Sequence, residues 1–383
     1  MRHIAETSWV VPAKAGTHTP WTSNGARPMK TSNASGYGSP LPRGRQSRGL
    51  VLAAAISLFL TATGHAQTVE QFYKGRTVNL IVGFNPGGAY DPYARAVARY
   101  LPKHLPGTPT VVIKNMPGAG SVTAANHLYK LSPKDGSEIG VIGGSAAIQP
   151  LFGARATQFD GQKFTWLGSA NEEIGGCFAW HTTPFQSAKD LFDKELIVGA
   201  SGASNLEYPI ILNAMLGTKM KVVRGYSGPG TIMLAIERGE VQGMCGSVLT
   251  FVNAQHPDWI RDNKVRMLIQ IGLQRSALMG DIPFAMDFAK NEDDKRVLRM
   301  LVGWNIMGRP FLAPPDIPAD RKAALRSAFD AAMQDPEFRA DAAKQRLEIA
   351  SIGGVQIDRF LADVYSTPKP LVDRAADILS SVK

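Results

Sequence analysis

The chain of 383 residues, 44% hydrophobic and 19% charged, has the composition of an ordinary soluble protein that is long enough for two domains. Its formal net charge of +10 suggests a nucleic-acid-binding protein. Residues 1–66, however, hold seven of the 42 basic residues and one of the 32 acidic ones. The rest of the chain therefore carries 35 basic against 31 acidic residues, with no basic run. Charge gives little support to nucleic-acid binding, and we expect none.

Residues 29–66 have the three parts of a secretory signal peptide. A basic region with three arginines precedes the apolar run Leu50–Leu60, and small residues follow up to Ala66. The eleven residues of the apolar run are too few to span a bilayer, which takes about 20. We therefore predict export to the periplasm, with cleavage near Ala66 and a mature protein that begins at or near Gln67.

The segment before this signal, residues 1–28, is polar and has no periodicity. Two explanations remain open. Translation starts at Met29 and the upstream residues are an extension of the gene assignment, or a disordered extension precedes an internal signal. In either case, this segment is expected to contribute nothing to the fold.

The first predicted unit after the signal is a strand, a glycine turn and a helix. Val78–Phe84 is a nearly continuous apolar run, typical of a buried strand. Pro86-Gly87-Gly88 breaks this strand, and Asp91 is predicted to be the N-cap of a helix at Pro92–Tyr100. A junction of this kind presents free backbone N–H groups that suit an anion.

The same alternation of strands and helices continues along the chain. The next predicted strands are Val111–Ile113, Glu138–Ile142, Phe164–Leu167, Cys177–His181, Leu196–Ala200, Lys221–Val223 and Val265–Ile271. The next predicted helices are Ser121–Leu131 capped by Ser121, Leu206–Leu216 capped by Asn205, Thr231–Arg238 ended by Gly239, and Ala285–Met300. This order predicts parallel sheets with helices on both faces.

The C-terminal part is predicted to return to the first lobe, with Val302–Met307 crossing back. The helices that follow are predicted at Asp320–Met333, at Glu337–Gln345 and from Asp358 onward. We therefore expect residues 67–176 and 302–383 to form the first lobe and residues 177–301 the second. Loops from both lobes could then close on a ligand in the cleft between them.

Three motifs link the chain to a known family. They are GGAYDPYAR at Gly87–Arg95, NMPGAGS at Asn115–Ser121 and KDGSEI at Lys134–Ile139. In order and spacing they resemble the motifs of the extracytoplasmic solute-binding proteins of the tripartite tricarboxylate transporter family, also called Bug receptors. The resemblance covers nearly the whole chain after residue 68. The positions that depart from the usual pattern are Met116, Ser121 and Glu138.

This resemblance implies a two-lobed α/β fold like that of a type II periplasmic binding protein. It also implies a small organic carboxylate as ligand, often held through backbone amides and bridging waters, and the permease subunits of a membrane transporter as partner. A monomer without a cofactor or metal is expected. The residues expected to contact the ligand are Phe84, Gly87, Gly88, Ser145, Ser201, Ser204, Tyr226, Gly228 and Thr231.

Three glycine-rich junctions, at residues 86–88, 201–204 and 225–230, share one design. Each precedes a predicted helix and so offers N–H donors at the positive end of a helix dipole. A single junction is more simply explained by a tight turn, but three in the family's order favour carboxylate binding. Asp91 is expected to be a structural cap that pairs with Arg95, because an acid in the site would repel an anionic ligand.

Other chemistries find little support in the sequence. The chain lacks the P-loop motif and a complete dinucleotide fingerprint, its histidines show no metal-ligand spacing, and no nucleophile elbow is present. An enzyme is therefore not expected, although an α/β hydrolase or transferase stays an alternative. A periplasmic ligand-sensing domain for signalling would have the same sequence. Trp180-His181 suits either a cleft wall or the core.

Cys177 and Cys245 are the two cysteines of the chain. In an exported protein such a pair suggests a disulfide, and both residues lie near predicted strands of the second lobe. Two free buried thiols are the alternative. We expect the bridge.

Overall fold

The computed structural model describes residues 67–201, 204–246, 252–253 and 255–381. The predicted signal peptide, its cleavage point near Ala66 and the preceding extension lie outside the described residues. So do Gly202 and Ala203 of the second glycine-rich junction. In the described ranges, no helix combines the length and the apolar composition that crossing a lipid bilayer requires.

Strands and helices alternate along most of the described chain. The strands are β1 (Thr77–Val82), β2 (Thr110–Asn115), β3 (Glu138–Val141), β4 (Thr165–Ser169), β5 (Gly175–Trp180), β6 (Leu196–Gly199), β7 (Met220–Val223), β8 (Gly243–Gly246), β9 (Val265–Ile271), β10 (Pro310–Ala313) and β11 (Ile352–Gly353). The α-helices are α1 (Val69–Tyr73), α2 (Asp91–His104), α3 (Val122–Lys130), α4 (Asp190–Asp193), α5 (Ser204–Leu216), α6 (Pro229–Glu237), α7 (Pro257–Arg261), α8 (Glu292–Val302), α9 (Ala319–Gln334), α10 (Pro336–Lys344), α11 (Gly354–Tyr365) and α12 (Lys369–Ser380). Short 3-10 helices lie at Ala119–Ser121, Gly144–Phe152, Ala277–Met279, Ala285–Phe288 and Gly303–Met307.

The strands form two mixed sheets. The first has the order β11-β4-β10-β3-β1-β2, in which β1 runs parallel to β2 and β3, whereas β10 is antiparallel to β3 and β4. The second has the order β7-β6-β8-β5-β9, in which β6 is parallel to β7 and β8, whereas β5 is antiparallel to β8 and β9. The predicted parallel pairing is confirmed for β1, β2 and β3 and for β6, β7 and β8. It is wrong for β5 and β10, because these strands follow the two connections between the sheets and run antiparallel to their neighbours.

Helix α2 shows how the apolar pattern of the sequence becomes burial. Ala94, Val97 and Leu101 are buried and Ala98 is partly buried, as their helical spacing predicts. This face belongs to the same apolar cluster as Phe329 of α9, against which α2 packs. Burying a leucine or valine side chain contributes about 1.5–3 kcal/mol. The packing therefore fixes the loop between β1 and α2 at the edge of the first sheet.

The C-terminal helices do not all return to the first sheet as predicted. Helices α9 and α11 pack on β4, and α10 packs on α2. Helix α12 packs against α8 and α5, and also touches the 3-10 helix Gly144–Phe152. An ion pair between Arg374 and Asp294 at 2.7 Å joins α12 to α8. The last helix therefore bridges the two halves of the chain, because its apolar face, which includes Val372 and Ala375, has partners on both sides.

Two predicted elements near residue 300 differ from the structure. The predicted helix Ala285–Met300 is divided: its first part is a 3-10 helix, and α8 begins after Asn291, which caps it by accepting the N–H of Asp294 at 2.8 Å. The predicted crossing Val302–Met307 is largely a 3-10 helix, and the returning strand is β10. Short apolar segments look alike in all these conformations, so periodicity alone does not separate them.

Two chain segments lie side by side where the chain passes between the sheets. Residues 170–174 lead from β4 to β5, and residues 303–309 lead into β10. The N–H of Glu173 donates to the carbonyl of Asn305 at 2.9 Å, and two further main-chain hydrogen bonds join the segments. The connection between the sheets is therefore a pair of cross-linked segments, here called the double connection.

Candidate functional site

The loops after β1, β2 and β3 meet at one edge of the first sheet. The Ser121 hydroxyl accepts the N–H of Gly143 at 2.8 Å, which joins the loop after β2 to the loop after β3. A Cβ on Gly143 would lie 3.4 Å from the ring of Phe84, so the loop after β1 reaches the same point. Ser121 occupies the predicted N-cap position of α3, but its side chain makes no capping hydrogen bond, because its hydroxyl accepts from Gly143.

The loop 84–91, here called the first rim, contains the glycine turn after β1. Both backbone N–H groups that were predicted to bind the ligand already donate hydrogen bonds within the protein. The N–H of Gly87 donates to Asp91 Oδ2 at 3.0 Å, and the N–H of Gly88 donates to the carbonyl of Asn85 at 3.1 Å. Gly87 has a φ of +76°, the left-handed conformation that favours glycine. The turn is therefore closed by its own hydrogen bonds, and the positive φ falls on Gly87 rather than Gly88.

Asp91 holds the first rim together from the start of α2. The helix begins at Asp91 itself, and Tyr90 occupies the N-cap position, so the predicted N-cap role of Asp91 was wrong. Its buried carboxylate accepts the N–H of Gly87, Arg95 Nε at 2.7 Å and Asn115 Nδ2 at 3.0 Å. Burial raises the pKa of Asp91, but the hydrogen bonds from Arg95, Gly87 and Asn115 outweigh it and lower the pKa to about 2. The predicted pairing with Arg95 and the hold on the turn are confirmed.

Asn115 stabilises the first rim, a role that was not predicted from the sequence. Its Nδ2 donates both to Asp91 Oδ1 and to the carbonyl of Phe84 at 2.9 Å. One side chain at the end of β2 thus fixes both ends of the first rim. Its position at the head of the NMPGAGS motif was the signal that could have identified it.

Aromatic stacking connects the first rim to the double connection. The rings of Phe84 and Tyr90 stack with centroids 3.8 Å apart and an angle of 10°. The guanidinium of Arg309 lies 4.5 Å from the Tyr90 ring and 5.1 Å from the Tyr93 ring, a cation–π arrangement. Arg309 Nη1 also pairs with Glu173 Oε1 at 2.6 Å. Burial, opposed by Arg309, raises the pKa of Tyr90 to about 12. The orientation of Phe84 is therefore tied to the segments that join the two sheets.

The loops at the edge of the second sheet, Ser201, Ser204 and residues 225–231, are here called the second rim. Ser201 Oγ donates to Asn205 Oδ1 at 3.1 Å, and Asn205 Nδ2 donates to the carbonyl of Cys245 at 2.7 Å. Helix α5 begins at Ser204, so Asn205 lies inside the helix and its predicted N-cap role was wrong. Its amide is used instead to attach α5 to the end of β8.

Tyr226, Gly228 and Thr231 surround the start of α6. The Thr231 hydroxyl donates to the carbonyl of Gly228 at 2.7 Å and accepts its N–H at 3.2 Å. The Tyr226 ring lies beside Gly199, where an added Cβ would be 3.3 Å from it. Within the described chain, the Tyr226 hydroxyl has no hydrogen-bond partner. Of these three residues, Tyr226 therefore keeps a polar group available for a ligand.

A disulfide lies beneath the second rim. Cys177 of β5 and Cys245 of β8 are direct neighbours in the sheet register, and their sulfur atoms are 2.04 Å apart. The structure thus holds the bridge expected from the sequence. Trp180 packs against Trp259, with ring centroids 4.6 Å apart, so it belongs to the core of this lobe.

A cavity of about 320 Å³ brings residues of both sheets together. Ser145, which follows β3, lies on one wall, and Glu207, one turn after Ser204 in α5, lies on another. Apolar side chains that include Phe152, Met300 and Trp304 complete the walls. The volume suits a small-molecule ligand. Ser145 is the member of the predicted contact set that lines this cavity; the other eight lie in the two rims outside it.

Groups of three or more His, Cys, Asp or Glu side chains that could hold a metal ion do not occur among the residues that the structure describes.

Comparison with known proteins shows which proteins this chain resembles. No protein-family model matches the chain. The chain is 38% identical to Protein BugT of Bordetella pertussis over 98 residues, which are 25% of this chain and 29% of that protein. It is 23% identical to the UPF0065 protein in the gbd 5' region of Cupriavidus necator over 343 residues, 84% of this chain and 94% of the relative. The match to BugT thus spans less than a third of that protein.

Solved structures extend the likeness over most of the chain. A TctC solute-binding protein from Polaromonas has a TM-score of 0.62 at 17% identity, with 81% of this chain and 99% of that chain covered. The chain is thus similar to Bug proteins in part of its sequence and to a TctC solute-binding protein in its fold. A second solved structure with a similar fold is R. palustris Rpa4515 with adipate, with a TM-score of 0.50 at 18% identity and coverage of 79% of this chain and 97% of that chain.

The fold shared with the Polaromonas protein, together with the two mixed sheets, confirms the predicted two-lobed α/β fold. The predicted boundaries of the two lobes and the predicted ligand contacts remain predictions.

Proposed function

We propose that this chain is an extracytoplasmic solute-binding protein that captures a small organic carboxylate and delivers it to the permease subunits of a tripartite tricarboxylate-type transporter. The observation that carries the proposal is the cavity of about 320 Å³ to which the first sheet contributes Ser145 and the second sheet's α5 contributes Glu207. A site shared by two sheets can couple ligand binding to a change in their relative position. The fold relative with adipate supports a carboxylate ligand.

The proposed carboxylate contact lies at Ser145. The first N–H groups of the 3-10 helix Gly144–Phe152 have no acceptor inside the helix, and such donors suit an anion. The amides of Gly87 and Gly88 already donate within the first rim, so we assign them a shaping role. Phe84 would add apolar contact. The members of the second rim proposed to close over the ligand are Ser201, Ser204, Tyr226, Gly228 and Thr231.

The proposed site of action is the periplasm, after removal of the signal peptide in residues 29–66. An oxidising compartment suits the Cys177–Cys245 bridge, which would be rare in the cytosol. We propose binding without catalysis, as the solute-binding role of the fold relative from Polaromonas suggests. N-terminal sequencing of exported protein should give a start at or near Gln67; a mature protein that starts at residue 1 or 29 would contradict export by this signal.

Ligand-dependent melting tests the binding role. Di- and tricarboxylates, aromatic acids and amino acids should be compared with the amides of the same acids. A ligand present at about 100 times its Kd should add roughly 2.7 kcal/mol to the free energy of unfolding. Ser145→Ala should weaken this effect, whereas Ser187→Ala, an exposed serine in a turn of the second lobe, should not. Stabilisation by amides and not by acids would contradict the proposal.

Uptake measurements test the transport role. Cells should lose uptake of the stabilising carboxylate when either this receptor or the permease subunits are deleted. Uptake that depends on the receptor and persists without those subunits would contradict the partnership. Unchanged uptake in the receptor deletion, together with loss of a transcriptional response to the ligand, would instead identify a sensor.

A further inference from the structure

Glu207 is the carboxylate in the wall of the cavity that also contains Ser145. The side chain is half-buried on α5, and the cavity surface around it is mainly apolar, with Phe152, Met300 and Trp304 among its members. Neither lysine nor arginine lines this cavity in the described part of the chain. The Glu207 carboxylate therefore lines a mainly apolar cavity whose walls contain no basic side chain.

Other acidic side chains in the same region form ion pairs with basic side chains, whereas Glu207 does not. Asp294 of α8 pairs with Arg374 at 2.7 Å, and Glu173 pairs with Arg309 at 2.6 Å. Glu207 makes no hydrogen bond or ion pair with any described residue. Burial raises the pKa of its carboxyl, with no neighbouring charge to offset the effect. A half-buried carboxylate without a partner costs free energy that a cationic group of a ligand would recover.

We propose that Glu207 receives the protonated amine of the ligand, so that the receptor selects an amino acid with a carboxylate at one end and an ammonium group at the other. This inference rests on the proposed function, which places the carboxylate at Ser145. The alkyl chain between the two groups would lie along the apolar wall at Met300 and Trp304. A dicarboxylate would instead place a second negative charge beside Glu207, where no basic side chain in the wall offsets it.

Paired ligands of equal length separate these two classes. Calorimetry should compare each ω-amino acid with the dicarboxylate of the same chain length, from 3-aminopropanoate and malonate to 6-aminohexanoate and adipate. The wild type should bind the best amino acid at least about tenfold more tightly than its paired dicarboxylate, since one favourable charge contact is worth about that factor. Glu207→Gln should abolish this preference and leave dicarboxylate binding equal or tighter.

A matched control isolates the effect of position. Glu237→Gln removes an exposed acid at the end of α6, far in sequence from the cavity wall, and should leave the preference unchanged. Without ligand, Glu237→Gln should melt at the temperature of the wild type, and Glu207→Gln should melt at that temperature or above it, because this change removes a half-buried charge that has no partner. A lower melting temperature of Glu207→Gln would show that the carboxylate stabilises the fold and would contradict the inference.

The failures of the two proposals are distinguishable. If dicarboxylates bind as tightly as the paired amino acids, or if Glu207→Gln keeps the preference, the amine assignment is wrong while the carboxylate receptor stands. If no carboxylate of either series binds to the wild type, the proposed function is wrong and this inference falls with it.

Discussion

The first and second rims are held in place by different means. In the first rim, polar side chains hold the loop itself: Asp91 and Asn115 bind its two ends, and Arg309 lies against Tyr90. In the second rim, the support lies beneath the loops, where the Cys177–Cys245 bridge joins two strands. One rim is thus fixed by its own hydrogen bonds and the other by the strands below it.

This difference indicates that the two rims would contribute differently to ligand binding. Since the polar groups of the first rim mostly satisfy one another, this rim offers a ligand a fixed shape and the apolar ring of Phe84. The second rim keeps the Tyr226 hydroxyl without a partner among the described residues. Substitutions in the first rim should therefore act mainly on stability, and substitution of Tyr226 in the second rim mainly on affinity.

Removal of the disulfide should have the largest effect on stability. The bridge closes a loop with a sequence separation of 68, which the chain-entropy relation converts to about 4 kcal/mol. The double variant Cys177→Ala/Cys245→Ala should lose about that much free energy of unfolding in denaturant titrations. Hydrogen exchange should increase in α5, which is attached to Cys245 through Asn205, and not in the first rim.

The control for this experiment is reduction. Reductant should destabilise the wild type to the level of the double variant and leave the double variant unchanged. Two titratable thiols in denatured, unreduced protein from the periplasm would contradict the bridge.

Asp91→Ala should have the next largest effect and should act on the first rim alone. The change leaves the amides of Gly87 and Asn115 and the guanidinium of Arg95 without their shared acceptor. We expect a loss of about 2 kcal/mol, because hydrogen bonds to a charged group are each worth roughly 1.5–3 kcal/mol and Arg95 is partly exposed. Asp91→Asn should be intermediate, since its NH₂ group would face these donors.

Asp373→Ala is the control, because Asp373 forms an exposed pair with Lys369 that should contribute less than about 1 kcal/mol. Loss of ligand binding by Asp91→Asn at normal stability would show instead that Asp91 contacts the ligand.

The contribution of Asp91 should depend on pH in a defined direction. Its pKa is lowered from an ordinary value of 3.8 to about 2, so folding favours the ionised form. The stabilisation is fully present above about pH 4 and is lost as the pH falls toward about 2. The difference in unfolding free energy between wild type and Asp91→Ala should therefore shrink over this window. A difference that stays constant down to pH 2 would contradict this assignment.

Gly87→Ala should cost about 1–2 kcal/mol, because alanine disfavours the left-handed conformation at a φ of +76°. Gly230→Ala in the second rim is the matched variant. Gly230 lies in the first turn of α6, an added Cβ there meets nothing within 4 Å, and alanine favours helix, so this change should stabilise by up to about 1 kcal/mol. Equal effects of the two changes in thermal unfolding would remove the contrast between the rims.

Tyr226→Phe should have the smallest effect and should act on affinity. Loss of one hydrogen bond to the ligand should cost about 0.5–1.5 kcal/mol in calorimetry, with the melting temperature unchanged. Tyr365→Phe should show the reverse, because the Tyr365 hydroxyl donates to the carbonyl of Ala147 at 2.8 Å and is used within the fold. A Tyr226→Phe variant that melts earlier and binds normally would assign Tyr226 to structure.

Local patterns in the sequence predicted much of the fold. The buried face of α2 follows from residue spacing, and the strand that became β9 has the predicted limits, Val265–Ile271. The disulfide could also be predicted, because the chain holds two cysteines and both lie near predicted strands. These features depend on neighbours in the sequence or on simple pairing, which periodicity and composition report.

The features that periodicity missed depend on distant partners. Arg309 lies 220 positions from Ala89, to whose carbonyl it donates, and no local pattern marks it as part of the first rim. Ser121 and Asn205 were predicted to cap helices because their types favour caps, but Gly143 and Cys245 compete for their side chains. The directions of β5 and β10 could not be predicted for the same reason, since they depend on which sheet the chain enters.

The place of β10 between β3 and β4 also determines when these two strands can be joined in the first sheet during synthesis. Strands β5 to β9 come from one continuous stretch, Gly175–Ile271, so the second sheet has all its strands early. The first sheet lacks the strand between β3 and β4 until Pro310–Ala313 has emerged. Until then β3 and β4 present open edges to other chains, and pairing across so long a separation is slow. Insertion of β10 is therefore expected late in folding, and until then the open edges of β3 and β4 expose the new chain to aggregation.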